Sequence, residues 1–157
     1  MRFVTVAAIV VLALAGSARG ALAQDVSVRG FAGGGATSDL NDQRYPVLGG
    51  GVLVDLGQPW VSAGAQAQTF FQWPYFTGRA AVFAQGNVLP NKPVRPFVLA
   101  GYGWGQDAGP LLGAGVEIRG PGSRAGVRVA IEDYVVKAGR FFPETRHQVA
   151  ATVSVVF

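Results

Sequence analysis

The stretch "RHQVAATVSVVF", residues 146–157, decides how the whole chain is read. Val149, Ala151, Val153, Val155 and Phe157 share one parity, and Gln148, Ala150, Thr152 and Ser154 share the other. Successive side chains of a β-strand point to opposite faces, so this alternation specifies a strand with one apolar and one polar face. An untied segment frays into polar residues. This one finishes on a bulky ring, so Phe157 is expected to be held.

The same period recurs upstream in segments of about ten residues divided by turn residues. They are "QDVSVRGFAGGGA" (24–36), "PVLGGGVLVDLG" (46–57), "WVSAGAQAQTF" (60–70), "GRAAVFAQGNV" (78–88), "RPFVLAGYGWG" (95–105), "LLGAGVEIR" (111–119) and "AGVRVAIEDYVV" (125–136). With the terminal stretch they make eight. Proline cannot donate to a strand ladder. Pro59, Pro74, Pro90, Pro93, Pro110, Pro121 and Pro143 fall between segments, and Pro46 and Pro96 fall at segment starts. Apolar residues nowhere follow the i, i+3, i+4, i+7 spacing of a helix. The longest expected links are "TSDLNDQRY" and "KAGRFFPET", with "FQWPYFT" intermediate and "QP" and "GPGS" short.

One-sided strands fit either a soluble barrel with its apolar face inward or a membrane barrel with that face toward lipid. The apolar parity here is mostly Val and Ala, thin filling for a soluble core. The other parity is Gly, Gln and a few charges, too sparse for a solvated surface. Both features favour lipid outside, with the glycines leaving room for long side chains crossing a narrow lumen. The lipid-facing set on the last strand is then Val149, Val153, Val155 and Phe157. Aromatic residues near segment ends suit the two bilayer interfaces: Tyr45, Phe71, Trp73, Tyr75 and Trp104 at one rim, and Trp60, with Phe97 and Phe157, at the other. The expected fold class is all-β, an eight-stranded antiparallel up-and-down transmembrane β-barrel.

Upstream of these segments, Arg2, the apolar run "FVTVAAIVVLALA" (3–15) and the small-x-small "ALA" (21–23) read as a cleaved secretory signal peptide. The apolar run is too short for a spanning helix, which needs ~20 residues. The expected division is residues 1–23 as signal and residues 24–157 as the barrel. Losing Arg2 and Arg19 lowers the net charge of +4 by two, which is no nucleic-acid footprint. An exported chain with no cysteine has no disulfide framework, so backbone pairing and packing must hold it.

On its signal sequence, the strands "GVRVAIEDYV" and "RHQVAATVSVVF", and the terminal Phe157, the chain resembles the small OmpA-like and OmpX-like outer-membrane barrels of Gram-negative bacteria. The resemblance spans residues 24–157. It implies an outer-membrane location and outer-membrane lipid and lipopolysaccharide as surroundings. It also implies recognition of Phe157 by the barrel-assembly machinery, and both termini on the periplasmic side. A monomer is expected.

The inward parity carries Arg29, Arg79, Glu117, Arg119, Arg128 and Glu132. An eight-stranded barrel is only wide enough inside for side chains, and buried charges there must pair. A structural charge plug is favoured over a gated path, with Glu117 or Glu132 meeting Arg79, Arg119 or Arg128. Asp133 falls on the lipid parity, so either a bulge shifts the register there or it stands above the bilayer. His147, the sole histidine, is expected at the rim. Metal sites need more His or Cys ligands than this chain has, and no cofactor is expected. Nucleophilic catalysis would need a serine beside His147 and an orienting acid. Ser154 lies too far down the strand, so no catalytic residue is assigned and the chain is not expected to be an enzyme. The expected role is structural or surface-interacting. The rivals are a lipid A-modifying barrel enzyme, which needs a serine that reaches His147, and a soluble periplasmic barrel holding an apolar ligand, which needs Val149, Val153 and Val155 to point inward. The glycine runs at 33–35 and 49–51 precede no helix and imply no phosphate loop.

Overall fold

The computed structural model describes residues 26–38, 43–72, 74–105, 108–120, 122–123, 125–137 and 145–157. The expected signal peptide, residues 1–23, lies outside them. Eight strands follow in chain order: β1 (Val26–Ser38), β2 (Arg44–Leu56), β3 (Val61–Gln72), β4 (Tyr75–Asn87), β5 (Val94–Gly105), β6 (Gly109–Arg119), β7 (Gly126–Lys137) and β8 (Thr145–Val156). Each pairs antiparallel with its sequence neighbours, and β8 returns to β1 to close the barrel. At the seam Phe31 faces Val156 and Ser38 faces Val149. Phe157 extends the ladder by one more pair, its N–H donating to the Gly30 carbonyl and its carbonyl accepting from the Gly30 N–H, both at 2.9 Å. Closure removes the free edges that an open sheet would expose. Strands of 11–13 residues meet or exceed the ~9–11 that a tilted strand needs to cross a bilayer's apolar layer.

Two features differ from the sequence expectation. The link "FQWPYFT" is mostly strand: Phe71 pairs with Phe76 and Gln72 with Tyr75, leaving only Trp73 and Pro74 between β3 and β4. The in–out alternation holds at Phe70, buried, and Phe76, exposed, and Pro74 sits where no ladder donor is required. The register of β7 on β8 runs unbroken from Gly126 opposite Val156 to Lys137 opposite Thr145. There is accordingly no bulge at Asp133. The opposite, terminus-side turns use Gly57 and Gly122, at φ 70° and 69°, a left-handed conformation that other residues adopt at a cost.

The inward parity packs to a filled interior of Phe31, Leu53, Phe83, Phe97, Leu99, Leu111, Tyr134 and Val156. Phe97, expected at a rim, belongs here: it shares the parity of Leu99, and its ring lies in the lumen. Glycines seat these plates. A Cβ at Gly51 would stand 2.7 Å from the Phe31 ring, one at Gly115 2.5 Å from Phe97, and one at Gly103 2.9 Å from Tyr134, while Gly64 lies under Phe83. The glycines that interrupt the sequence are thus the floor on which the lumen aromatics lie flat.

Candidate functional site

Polar chemistry in this barrel is concentrated inside it. Arg29, Arg79, Glu117, Arg119, Arg128 and Glu132 all lie on inward parities, and Glu117, Arg128 and Glu132 are each only 2% exposed. They form two groups. Near the terminus-side mouth, Arg29 on β1 makes a bidentate pair with Asp55 on β2, Nε to Oδ2 at 3.0 Å and Nη2 to Oδ1 at 2.7 Å. Its Nη1 donates across the lumen to both oxygens of Glu117 at 3.0 and 3.1 Å. Arg119 also pairs with Glu117, and Ser27 and Ser62 each donate to Asp55 at 2.6 Å. Planar guanidinium matches carboxylate in this two-point fashion, so the buried charges are neutralised as well as solvated.

In the other half Glu132 meets amides rather than arginines. Its Oε2 accepts from Gln66 at 2.8 Å, from Gln68 at 3.0 Å and from the Tyr134 hydroxyl at 3.3 Å. Arg79 donates from Nε to Gln68 at 2.8 Å and from Nη1 to Gln148 at 3.0 Å. Gln68 therefore stands between Arg79 and Glu132 and relays one to the other. The expected Glu–Arg pairing holds for Glu117 with Arg119, whereas no ion pair joins Glu132 to an arginine among the described residues. The two arginines lacking a carboxylate partner lie on rings instead. The Arg79 guanidinium carbon is 3.3 Å from the Tyr134 ring centroid and 4.6 Å from Phe70, and that of Arg128 is 3.9 Å from Phe97 and 5.3 Å from Phe31. An aromatic face attracts a desolvated cation. Arg128 Nη1 also donates to Gln85 at 2.7 Å, and Gln85 to Asn87 at 2.7 Å.

Sequence reasoning missed Asp55, Gln66, Gln68, Gln85 and Tyr134. Each sits on the inward parity of its segment, so the parity rule would have found Asp55 had it been applied to the second segment, and the others had neutral amides and the tyrosine been counted with the charges. Ring stacking by Arg79 and Arg128 has no sequence signal, because it depends on which strands face each other across the barrel.

The outward parity is apolar and open. Val149, Val153, Val155 and Phe157 point out, the last three 55%, 56% and 64% exposed, and Leu48, Val82, Val98, Leu112 and Ile131 continue the surface. A soluble barrel with Val149, Val153 and Val155 inward is thereby excluded. The Phe157 ring lies over Gly30, where a Cβ would stand 2.5 Å from it. Aromatics stand at the ends of this wall. Phe71 meets Phe76 edge-to-face at 5.6 Å, Tyr102 and Trp104 pair at 5.4 Å, and exposed Trp60 lies in the turn between β2 and β3. Tyr45 is different. It shares the inward parity of Val47, so it stands at the lumen mouth, hydrogen-bonded to Gln43, rather than in an outer belt. Tyr75 opens β4, and Trp73 lies outside the described residues.

His147 and Asp133 occupy the outward wall near the β7–β8 link, with Nδ1 2.8 Å from Oδ2. This pair would be two-thirds of a nucleophilic triad. Ser154 cannot complete it, because it lies buried on the inward face. Ser38 is outward and opposite Val149, one diagonal step from His147, but its hydroxyl makes no hydrogen bond to the imidazole. Among the described residues no group of three His, Cys, Asp or Glu side chains is placed to hold a metal.

An apolar outer wall around a charged, packed lumen inverts the layout of a soluble domain. The fold is that of the eight-stranded outer-membrane β-barrels. The N-terminal β-barrel domain of Pseudomonas aeruginosa OprF matches with a TM-score of 0.58 at 13% identity, over 85% of this chain and 98% of that one. Neisserial surface protein A (NspA) matches with a TM-score of 0.63 at 9% identity, over 85% and 99%. The de novo designed TMB2.3 matches with a TM-score of 0.55 at 14% identity, over 84% and 94%. No family model and no curated protein matches the chain by sequence. Identities this low carry the fold and not an activity.

Proposed function

We propose that the protein is an integral outer-membrane barrel, monomeric and without catalysis of its own, whose lumen is a structural plug and whose outer connections meet the cell's surroundings. The observation that carries this reading is the inversion on β7. Arg128 and Glu132 are buried inside, while Val129 and Ile131 between them are 43% and 59% exposed outside. In water that outer wall would be a large exposed apolar patch of the kind that drives aggregation. In lipid it is the stable arrangement. Outer-membrane lipid and lipopolysaccharide would surround the wall, with the Phe71–Phe76 and Tyr102–Trp104 pairs at one headgroup level and Trp60 at the other. Among the described residues the lumen is filled by buried side chains, which supports a structural or surface role over transport.

Phe157 supports a further part of the proposal. As the outward ring of the closing strand it is the residue that the barrel-assembly machinery would read. Residues 1–23 would supply export, and the links after β1, β3, β5 and β7 would face outside. The test is fractionation of cells expressing the full chain. The protein should sediment with outer membranes, resist carbonate extraction, dissolve in detergent and migrate differently on gels before and after boiling. Recovery in the soluble periplasmic fraction would overturn the proposal.

A further inference from the structure

One charge on the outer wall has no role in holding the barrel. Asp133 stands on the outward parity of β7, facing Leu112 on β6 and Val149 on β8. An ionisable group on a lipid-facing wall is costly and marks a functional site by default. Its partner is His147, with Nδ1 2.8 Å from Asp133 Oδ2. An ionised carboxylate only accepts, so Nδ1 carries the proton and Nε2 is turned away from Asp133. Asp133 Oδ1 is buried, so neither carboxylate oxygen is open to a ligand. What the pair presents outward is the imidazole, whose side chain is 55% exposed.

The imidazole does not stand alone. Across the seam Ser38 faces Val149, which puts its hydroxyl one diagonal step from His147, about 7–8 Å between backbones. Arg44 on β2 lies directly opposite Ser38. It is outward and exposed, and it makes no ion pair with a described residue. His147, Ser38 and Arg44 thus form a row across β8, β1 and β2 at the outer end of the wall. Phe70 faces Val47, so Phe71, which meets exposed Phe76, stands beside this row at the level where lipid headgroups begin. Beneath the row the wall is apolar, with Leu48 and Val149 56% and 39% exposed.

We infer that Arg44, Ser38 and His147 form a binding site for the phosphate of one outer-leaflet lipid, whose acyl chains lie against Leu48 and Val149. The guanidinium supplies a two-point donor and a full charge, and the hydroxyl supplies a further donor. Between Asp133 and a phosphate the imidazole is stable as a cation, donating from both nitrogens. A metal cation is disfavoured, because the open groups are donors and Asp133 is already taken. The apolar residues beneath select a lipid over free phosphate. The inference rests on the outer-membrane reading above, and a separate experiment judges each.

The site is tested by titrating the detergent-solubilised protein with diphosphorylated lipid A and following its amide shifts. Shifts at Ser38, His147 and Val149 should saturate at one lipid per barrel. Arg44→Gln and His147→Gln should each weaken binding about tenfold, as the loss of one charge-assisted hydrogen bond predicts. Both side chains are exposed, so gel mobility of the folded barrel should not change. Arg95→Gln, at the opposite rim, should leave the affinity as it is. Equal affinity for lipid A stripped of its phosphates, or wild-type affinity when Arg44→Gln and His147→Gln are combined, would overturn the site. The same shifts with inorganic phosphate at equal concentration would overturn the lipid as occupant, and shifts that require added magnesium would assign a cation instead. If the protein sediments with outer membranes but shows no such shifts, the site alone is wrong; recovery in the soluble periplasm would sink the wider reading.

Discussion

Glu132→Gln isolates the charge of the plug from its shape. The amide fills the same volume, so no cavity is created and the difference is electrostatic. Glu132 is buried and accepts three hydrogen bonds on Oε2, from Gln66, Gln68 and Tyr134. Bonds to a charged acceptor contribute about 1.5–3 kcal/mol each and neutral ones about 0.5–1.5 kcal/mol, so the three lose about 3 kcal/mol together. The replacement also brings a third amide NH₂ toward those of Gln66 and Gln68, and it removes the carboxylate nearest two buried arginines. Stranding buried charges costs about 3–5 kcal/mol, so about 3 kcal/mol is a lower expectation. The assay is reversible urea unfolding in micelles, followed by tryptophan fluorescence and by gel mobility. With a urea dependence of about 1–3 kcal/mol per molar, the midpoint should fall by about 1–3 M. A double-mutant cycle with Gln66→Leu should show coupling, because the glutamine's donor meets a neutral amide oxygen once the carboxylate is gone. A stability unchanged within about 0.5 kcal/mol would refute the idea that the lumen charges hold the barrel together.

Gly115→Ala should destabilise by about 2 kcal/mol or more, since its methyl would meet the Phe97 ring and the Val129 carbonyl. Gly86→Ala, with its nearest neighbour at 3.7 Å, should be neutral or slightly stabilising in the same unfolding assay. Val153→Arg on the outward wall should cost about 2–4 kcal/mol in lipid vesicles and far less in a short-chain micelle; equal stability in both would argue against lipid contact. Deleting Phe157 should lower outer-membrane accumulation in cells severalfold more than it lowers refolding yield in detergent, and an equal loss in both would leave the ring a purely structural role.

The strand count and the sides of the strands were legible because both follow from a single period, two, that survives every substitution between apolar types. Val153 and Val155 could be placed outward, and Arg128 inward, without knowing any partner. Strand ends were less legible where the cues conflict. "FQWPYFT" reads as a link by its proline, yet the alternation of Phe70 inward with Phe71 and Phe76 outward carries the strands through to Gln72 and Tyr75. Pairing across the lumen was the least legible. Glu117 and Arg119 are two residues apart on one face and could be matched along the chain. Glu132 with Gln66, and Arg128 with Phe97, depend on how far each strand is shifted against its neighbours around the whole circle. Tyr45 and Phe97 were misplaced because their position near a segment end outweighed their parity.

The lumen bonds also have a mechanical meaning. Gln66 and Gln68 on β3 reach Glu132 on β7, and Arg79 on β4 reaches Gln148 on β8, strands half a circumference apart in an eight-membered ring. Arg29 to Glu117 and Arg128 to Gln85 cross between strands three places apart. A hydrogen-bonded sheet resists stretching along its strands but bends easily across them, so an empty ring of eight could be flattened into an oval by lateral pressure. Ties set at several angles resist that deformation, as spokes keep a thin rim round. The barrel is thereby stiffened from within, and its outer connections are free to vary in length and composition without loosening the cylinder that carries them.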